Sequence, residues 1–166
     1  MLKGLHINYP NMAWGIDITY IPMAKGFMYL AAIMDLFSRF VVNRSLSNTM
    51  EASWITRMVR EALNIHDAPE IINSDQGSQF TSNEYITLLK DKNIRISMDG
   101  KGRAIDNIFV ERLWRSLKYE HVYLNPADDG NDLYRGLEEW FHFYNFQRHH
   151  QSLGYKKPAE IYRRAA

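Results

Sequence analysis

Trp14-Gly15-Ile16-Asp17-Ile18-Thr19-Tyr20 reads as a strand with an acid at its centre. Trp14, Ile16, Ile18 and Tyr20 fall on one face, and Gly15, Asp17 and Thr19 on the other, which is the period of an extended chain. Pro22-Met23-Ala24-Lys25-Gly26 follows with turn chemistry, and Phe27 to Met34 is an apolar run of the length expected for a buried strand. Asp35-Leu36-Phe37-Ser38 makes a second reversal, and Arg39 to Ser45 supplies a third strand. The first third of the chain therefore predicts an antiparallel meander.

Beyond Ser45 the period changes. Asn48 and Glu51 have the spacing of a capping box, and Ala52, Ile55, Val59, Ala62 and Leu63 follow at helical intervals. Ile71-Ile72 is a short strand after Pro69. Thr81 and Glu84 suggest a second box before a helix carrying Tyr85, Leu88 and Leu89. Ile94 to Met98 alternates as a fifth strand, and the glycine-rich segment 99–103 interrupts it. Val110, Leu113, Trp114 and Leu117 form the apolar stripe of another helix. Leu133, Leu137, Trp140, Phe141 and Tyr144 form that of the last, and a basic tail begins near Gln147. A meander followed by helix, strand, helix, strand and helix implies an α/β fold, a mixed sheet with helices on both faces. The expected division is an N-terminal extension at 1–12, one catalytic core at 13–146 and a C-terminal tail at 147–166 that packs on the core or extends from it.

The chain has 166 residues, of which 46% are hydrophobic and 13% aromatic, enough to bury one full core. No apolar stretch approaches the ~18 residues of a membrane span, and the start is too short in apolar residues for a secretory signal. With no cysteine, disulfides and zinc–thiolate sites are excluded, which fits a cytosolic protein. The net charge of +1 does not announce a nucleic-acid binder, but its distribution is uneven. Lys101, Arg103, Arg112, Arg115 and Lys118 cluster against Asp106 and Glu111. Arg148, Lys156, Lys157, Arg163 and Arg164 cluster against Glu160. Such patches neutralise phosphates, and they also occur on ordinary solvated surfaces.

Three acids stand apart. Asp17 lies inside the first strand, Asp75 just past the apolar end of the fourth, and Glu111 on the amphipathic helix, with 35 residues between it and Asp75. In a mixed sheet, ligands favour the carboxyl ends of parallel strands where the strand order reverses, and Asp75 is placed there. Two carboxylates 4 Å apart repel by roughly 4 kcal/mol at an effective dielectric near 20. Three in one cleft would consume much of a domain's ~5–15 kcal/mol unless a cation compensated. If the three converge, a metal site follows, and oxygen ligands suit hard Mg²⁺ or Mn²⁺. Two such ions about 4 Å apart serve phosphodiester transfer by activating a hydroxyl, stabilising the leaving oxygen and shielding the phosphate. If the acids do not converge, they are ordinary surface residues. Lys118 falls two turns beyond Glu111 and nearly in line with it, with Arg115 beside it, so both are candidate contacts to a DNA backbone. The side chains of His149 and His150 point apart; tail packing or a phosphate contact is expected of them rather than a shared ion.

Residues 14–22, 73–80 and 102–118, with Tyr144-Asn145, Arg148-His149, Ser152-Leu153-Gly154-Tyr155 and Pro158-Ala159-Glu160, resemble the bacterial insertion-sequence transposases. The branch is the DDE superfamily, whose core is similar to retroviral integrase. The resemblance implies a ribonuclease H-like fold with strand order 3-2-1-4-5. It also implies magnesium- or manganese-dependent cleavage of element ends, followed by attack of the freed 3′-hydroxyl on target DNA. It assigns the acidic set to Asp17, Asp75 and Glu111, binding two divalent ions, and the DNA-contacting lysine to Lys118. Arg115, Lys101 and Arg103 are further DNA-binding candidates. Asp35 and Asp106 lie in family motifs outside the acidic set, with turn formation or helix capping as their expected role. The implied partners are double-stranded DNA and further copies of the chain, as a homodimer or larger oligomer, with no membrane and no small-molecule cofactor. The implied place is the bacterial cytoplasm, at the nucleoid.

The sequence departs from the pattern in two ways. Asn73-Ser74-Asp75 stands where many relatives have His-Ser-Asp, and Ile16 where they have Thr; neither removes a ligand. Relatives also carry a helix-turn-helix region upstream, whereas about a dozen residues precede the Asp17 strand here. An excised core, a truncated copy and a relic are all compatible with that start. Two rival functions remain: a structure-specific nuclease of the same fold, and a non-catalytic DNA-binding or assembly remnant. The nuclease usually needs a fourth carboxylate, for which the sequence offers no convincing candidate.

Overall fold

The strand around Asp17 is β1 (Ala13–Pro22), and it lies at the centre of a five-stranded sheet. The computed structural model describes residues 5–98 and 108–163. β2 (Phe27–Asp35) runs antiparallel to β1, and β3 (Val41–Ser47) antiparallel to β2. On the other side β4 (Ile71–Ser74) is parallel to β1, and β5 (Arg95–Met98) parallel to β4. The order is β3-β2-β1-β4-β5, the mixed ribonuclease H-like sheet that the resemblance implied. Helices α1 (Ala52–Ile65), α2 (Asn83–Asp91), α3 (Ile108–Leu117), α4 (Gly130–Phe146) and α5 (Pro158–Arg163) complete the fold.

Strand alternation explains why both faces are covered. Trp14, Ile16, Ala31 and Ile33 pack with Trp54, Ile55, Met58 and Val59 of α1 and with Tyr85, Leu88 and Leu89 of α2. The intervening residues Ile21, Leu30, Ala32 and Met34 pack with Val110, Leu113 and Trp114 of α3 and with Leu137, Trp140 and Phe141 of α4. β2 reads as a continuous apolar run because from Leu30 onward both of its faces are covered. Asp17 shares its side of β1 with Ile21, and hence faces α3 and α4.

Local signals differ from the sequence reading at several ends. The N-cap of α1 is Glu51, with no side-chain hydrogen bond, so Asn48 does not cap it. The N-cap of α2 is Ser82, whose hydroxyl accepts from the Tyr85 N–H, one residue later than the expected Thr81. Asp35 is a turn former. It is fully buried and accepts from Asn11 N and Ser38 N, each at 2.7 Å, and from Ser38 Oγ at 2.6 Å. That turn leaves Arg39 at φ 65°, so β3 begins at Val41 rather than Arg39. Asp106 and the glycine-rich segment 99–103 lie outside the described residues.

After α3 the chain widens into a π-helical turn, Lys118–Val122, with Tyr123 N donating to Lys118 O at 2.9 Å. The C-terminal segment returns to the sheet through α5. Tyr162 stacks on Phe40 with centroids 4.6 Å apart and donates its hydroxyl to Asn11 Oδ1 at 2.8 Å. No described helix is long and apolar enough to cross a membrane.

One buried side chain bolts α4 to the sheet. The Asn145 amide donates to Val41 O and accepts from Val41 N, both at 2.9 Å. Replacing it with Ala strands two buried backbone groups, each costing about 1–3 kcal/mol. Asn145→Ala should therefore lose about 2–6 kcal/mol of unfolding free energy in urea melts. A loss below about 0.5 kcal/mol, the range of neutral surface changes, would contradict the assignment.

Candidate active site

Parallel pairing of β1 and β4 brings the first two acids to the same end of the sheet's centre. Gly15 is in register with Asn73, the last pair; Asp17 lies two residues further along β1, and Asp75 two residues further in the chain, past the end of β4. Asp17 stays within β1, opposite Ala32 of β2. Asp75 is the first residue beyond β4, is exposed, and accepts from Gly77 N through Oδ1 at 2.8 Å. The same loop is anchored by buried Gln79, whose Nε2 donates to Met50 O at 3.0 Å.

Helix α3 brings the third acid. Glu111 lies in its first turn, and Trp114 follows one turn later on the neighbouring face. The Trp114 indole Nε1 donates to Asp17 Oδ2 at 2.9 Å, which ties the helix to the central strand at the level of the acid. Burial pushes the Asp17 carboxyl up to about 6. The Trp114 and Ile18 N–H groups oppose that rise, while the negative charges of Asp75 and Glu111 add to it. Both other acids thus lie close enough for Asp17 to feel their charge.

Lys118 is half-buried. Burial lowers its ammonium pKa, and the charge of Asp17 acts in the opposite direction. Arg115 is exposed and lines a neighbouring cavity with Arg39, Arg112 and Arg148. Lys101 and Arg103 lie outside the described residues.

The donor set fits a hard cation in part. All three side chains offer oxygen, and among the described residues none of the three makes an ion pair. Equally, no three acidic or imidazole side chains among the described residues are close enough to chelate an ion unaided. Asp75 turns one oxygen back onto its own loop. The arrangement is an open group around Asp17, suited to an ion that keeps waters and takes substrate oxygens.

The chain matches an integrase core domain model over residues 8–104, and a second integrase core domain model over residues 92–158. The chain belongs to the integrase core domain family. A transposase for insertion sequence element IS904 from Lactococcus lactis is 34% identical, over 92% of this chain and 61% of its own length. A putative transposase for IS150 from Escherichia coli is 33% identical, over 84% of this chain and 50% of its own length. This integrase core thus spans between about half and three-fifths of those two relatives. Among solved structures, the HTLV-2 integrase catalytic core in complex with magnesium superposes with a TM-score of 0.74. It is 20% identical and covers 93% of this chain and 97% of that one. A simian T-cell lymphotropic virus intasome chain reaches 0.80 at 21% identity, covering 95% of this chain and 57% of that one. These two likenesses establish the fold.

Sequence reasoning treated Trp114 only as part of an apolar stripe. The three-residue spacing from Glu111 was the available sign that its indole would sit beside the acids. Gly77 was also missed. A Cβ there would meet Asp75 Oδ1 and Gln79 Oε1, each at 2.9 Å, so Gly77→Ala should displace the Asp75 carboxylate. Both atoms end side chains that can move. The thermal midpoint should accordingly fall by less than about 4 °C. A crystal structure of the variant with Asp75 Oδ1 still on the Gly77 amide would refute this.

Proposed function

We propose that this integrase core is the catalytic part of an insertion-sequence transposase, which cleaves DNA at element ends and joins the freed 3′-hydroxyl to target DNA. The observation that carries the reading is the half-buried Asp17 carboxylate, held by Trp114 and under the charge of both Asp75 and Glu111. Asp17 and Asp75 would hold the principal Mg²⁺ or Mn²⁺, and Glu111 would complete a second ion site. The ions, when bound, would activate the attacking hydroxyl, stabilise the leaving oxygen and shield the phosphate.

The chain's own residues have separate tasks. Trp114 fixes one oxygen of Asp17, so the carboxylate is oriented before substrate arrives. A cation at that point reverses the electrostatics that push Asp17 toward its neutral form. Lys118, close enough to sense Asp17, would hold a DNA phosphate beside the acids. Arg115 would contact the same duplex one turn along α3. The HTLV-2 integrase core has been solved in dimeric and trimeric forms, which supports an oligomer here. Such a reaction on chromosomal DNA belongs in the bacterial cytoplasm.

Asp17→Asn, Asp75→Asn and Glu111→Gln should each reduce both nicking and joining by about 10³-fold or more, since each removes several kcal/mol of charge stabilisation. The assay is a labelled element-end duplex incubated with Mn²⁺ and the parent transposase, scored separately for nicked and joined product. Nicking without joining by the wild type would favour a nuclease. Full activity in Asp75→Asn would leave the chain as a DNA-binding or assembly remnant.

A further inference from the structure

Beside the acidic group, but on another side of α3, lies a cavity of about 260 Å³ lined by Arg39, Phe109, Arg112, Arg115, Arg148 and His150, among others. The arginines come from the β2–β3 turn, from α3 and from the segment after α4, so only the folded chain brings them together. A water molecule occupies about 30 Å³ in the liquid, so there is room for an oxyanion with part of its hydration shell.

The charge there is poorly balanced. Arg148 is paired in bidentate fashion with Glu120, its Nη2 lying 2.7 Å from Oε1. Among the described residues Arg39, Arg112 and Arg115 make no ion pair. Asp35 is near enough for Arg39 to feel its charge, but its oxygens already accept from Asn11 and Ser38. Arg39 lies flat against the Phe109 ring, 3.3 Å from its centroid, which fixes the plane of the guanidinium. Its Nη1 is buried without a hydrogen-bond partner, and so is His150 Nε2. Two orphaned nitrogens on one cation-rich cavity are costly unless an anion supplies their acceptors. The cations also act on one another: burial chiefly lowers the Arg39 pKa and Arg112 adds to that, while Arg148 and Arg39 help burial hold His150 near 4.

We infer that this cavity is a binding site for a backbone phosphate of DNA, with Arg39 and His150 as its buried donors and Arg112 and Arg115 as its rim. The inference rests on the preceding reading that the chain handles DNA, and it adds a second contact point outside the acidic group. Continuity favours a nucleic-acid phosphate over a free one. Arg112 adjoins Glu111, and Arg115 lies one turn, about 6 Å, further along the same helix. A strand held at the acids would present neighbouring phosphates across α3. Arginine forks suit such oxyanions, whereas a lysine would offer only a point charge.

The test uses the 166-residue chain without divalent ions, so that binding is read apart from cleavage. Fluorescence anisotropy of a labelled duplex across a salt series gives the dependence of log K on log salt. Arg112→Gln should reduce that slope by about 0.9, the share of one phosphate contact, and weaken binding equally on unrelated sequences. Arg60→Gln, which removes an exposed cation from α1, should leave the slope unchanged. Arg39→Gln should act as Arg112→Gln does, with its fold checked by circular dichroism. Inorganic phosphate, titrated at constant ionic strength, should shift the Arg39 Nε–Hε and His150 ring signals in NMR spectra.

Equal slopes for Arg112→Gln and Arg60→Gln would overturn the inference, as would no measurable DNA binding by the wild type. NMR shifts with phosphate but an unchanged DNA slope would make this a free-phosphate site and overturn the nucleic-acid assignment. An inactive Asp75→Asn with unchanged Arg112→Gln slope sinks only this inference. A fully active Asp75→Asn with a reduced Arg112→Gln slope sinks only the catalytic reading.

Discussion

A carboxylate in the middle of a central strand is a liability, and the way this chain contains it organises much of the molecule. β1 pairs with β2 from Trp14 to Pro22 and with β4 from Ala13 to Gly15, so the backbone at Asp17 is held while its half-buried side chain is only partly solvated. The indole N–H of Trp114 meets the carboxylate instead, and a hydrogen bond to a charged group of this kind contributes about 1.5–3 kcal/mol. Together with the core packing of Val110, Leu113 and Leu117, the same contact positions α3 on the sheet. That placement sets where Glu111 and Lys118 lie, with Arg112 and Arg115 along the adjoining side of the helix. Structure and chemistry share one bond.

That arrangement also describes a trade between stability and use. Burial and two neighbouring negative charges work against the ionised form of Asp17, and the local structure answers them only in part. Unbalanced charge of the opposite sign gathers around Arg39, a short distance away along α3. An apolar strand residue and a neutral cavity would make a quieter domain. Strain of this sort, concentrated on two sides of one helix, is what is expected where binding partners complete the electrostatics.

The sheet was legible because its signals are periodic. Alternation around Asp17 and the length of the run from Phe27 to Met34 depend on local geometry alone, and both elements formed where that geometry required. Helix starts were less legible. Thr81 and Ser82 both have capping hydroxyls, and only the approach of the chain over α2 decides for Ser82. Glu51 shows the same weakness, since packing of Trp54 and Ile55 fixes α1 without any side-chain cap. That Asp17 and Asp75 lie at one end of the parallel pair β1 and β4 follows from strand register, whereas their role as a set was only implied by the family resemblance. The arginine cavity had no linear signature. Its arginines are separated by up to 109 positions, and each alone resembles an ordinary surface cation.

The Asn145 clamp has a consequence for the rim of the sheet. β3 is an outermost strand, and such strands expose backbone groups that can recruit another chain. At Val41 a single side-chain amide satisfies both the N–H and the C=O, as a neighbouring strand would. Further along β3, Arg44 is committed to Glu138 at 2.6 Å, which sets a charged pair beside the same border. The molecule thus carries its own stopper against strand-to-strand polymerisation, built from the helix that also closes its core.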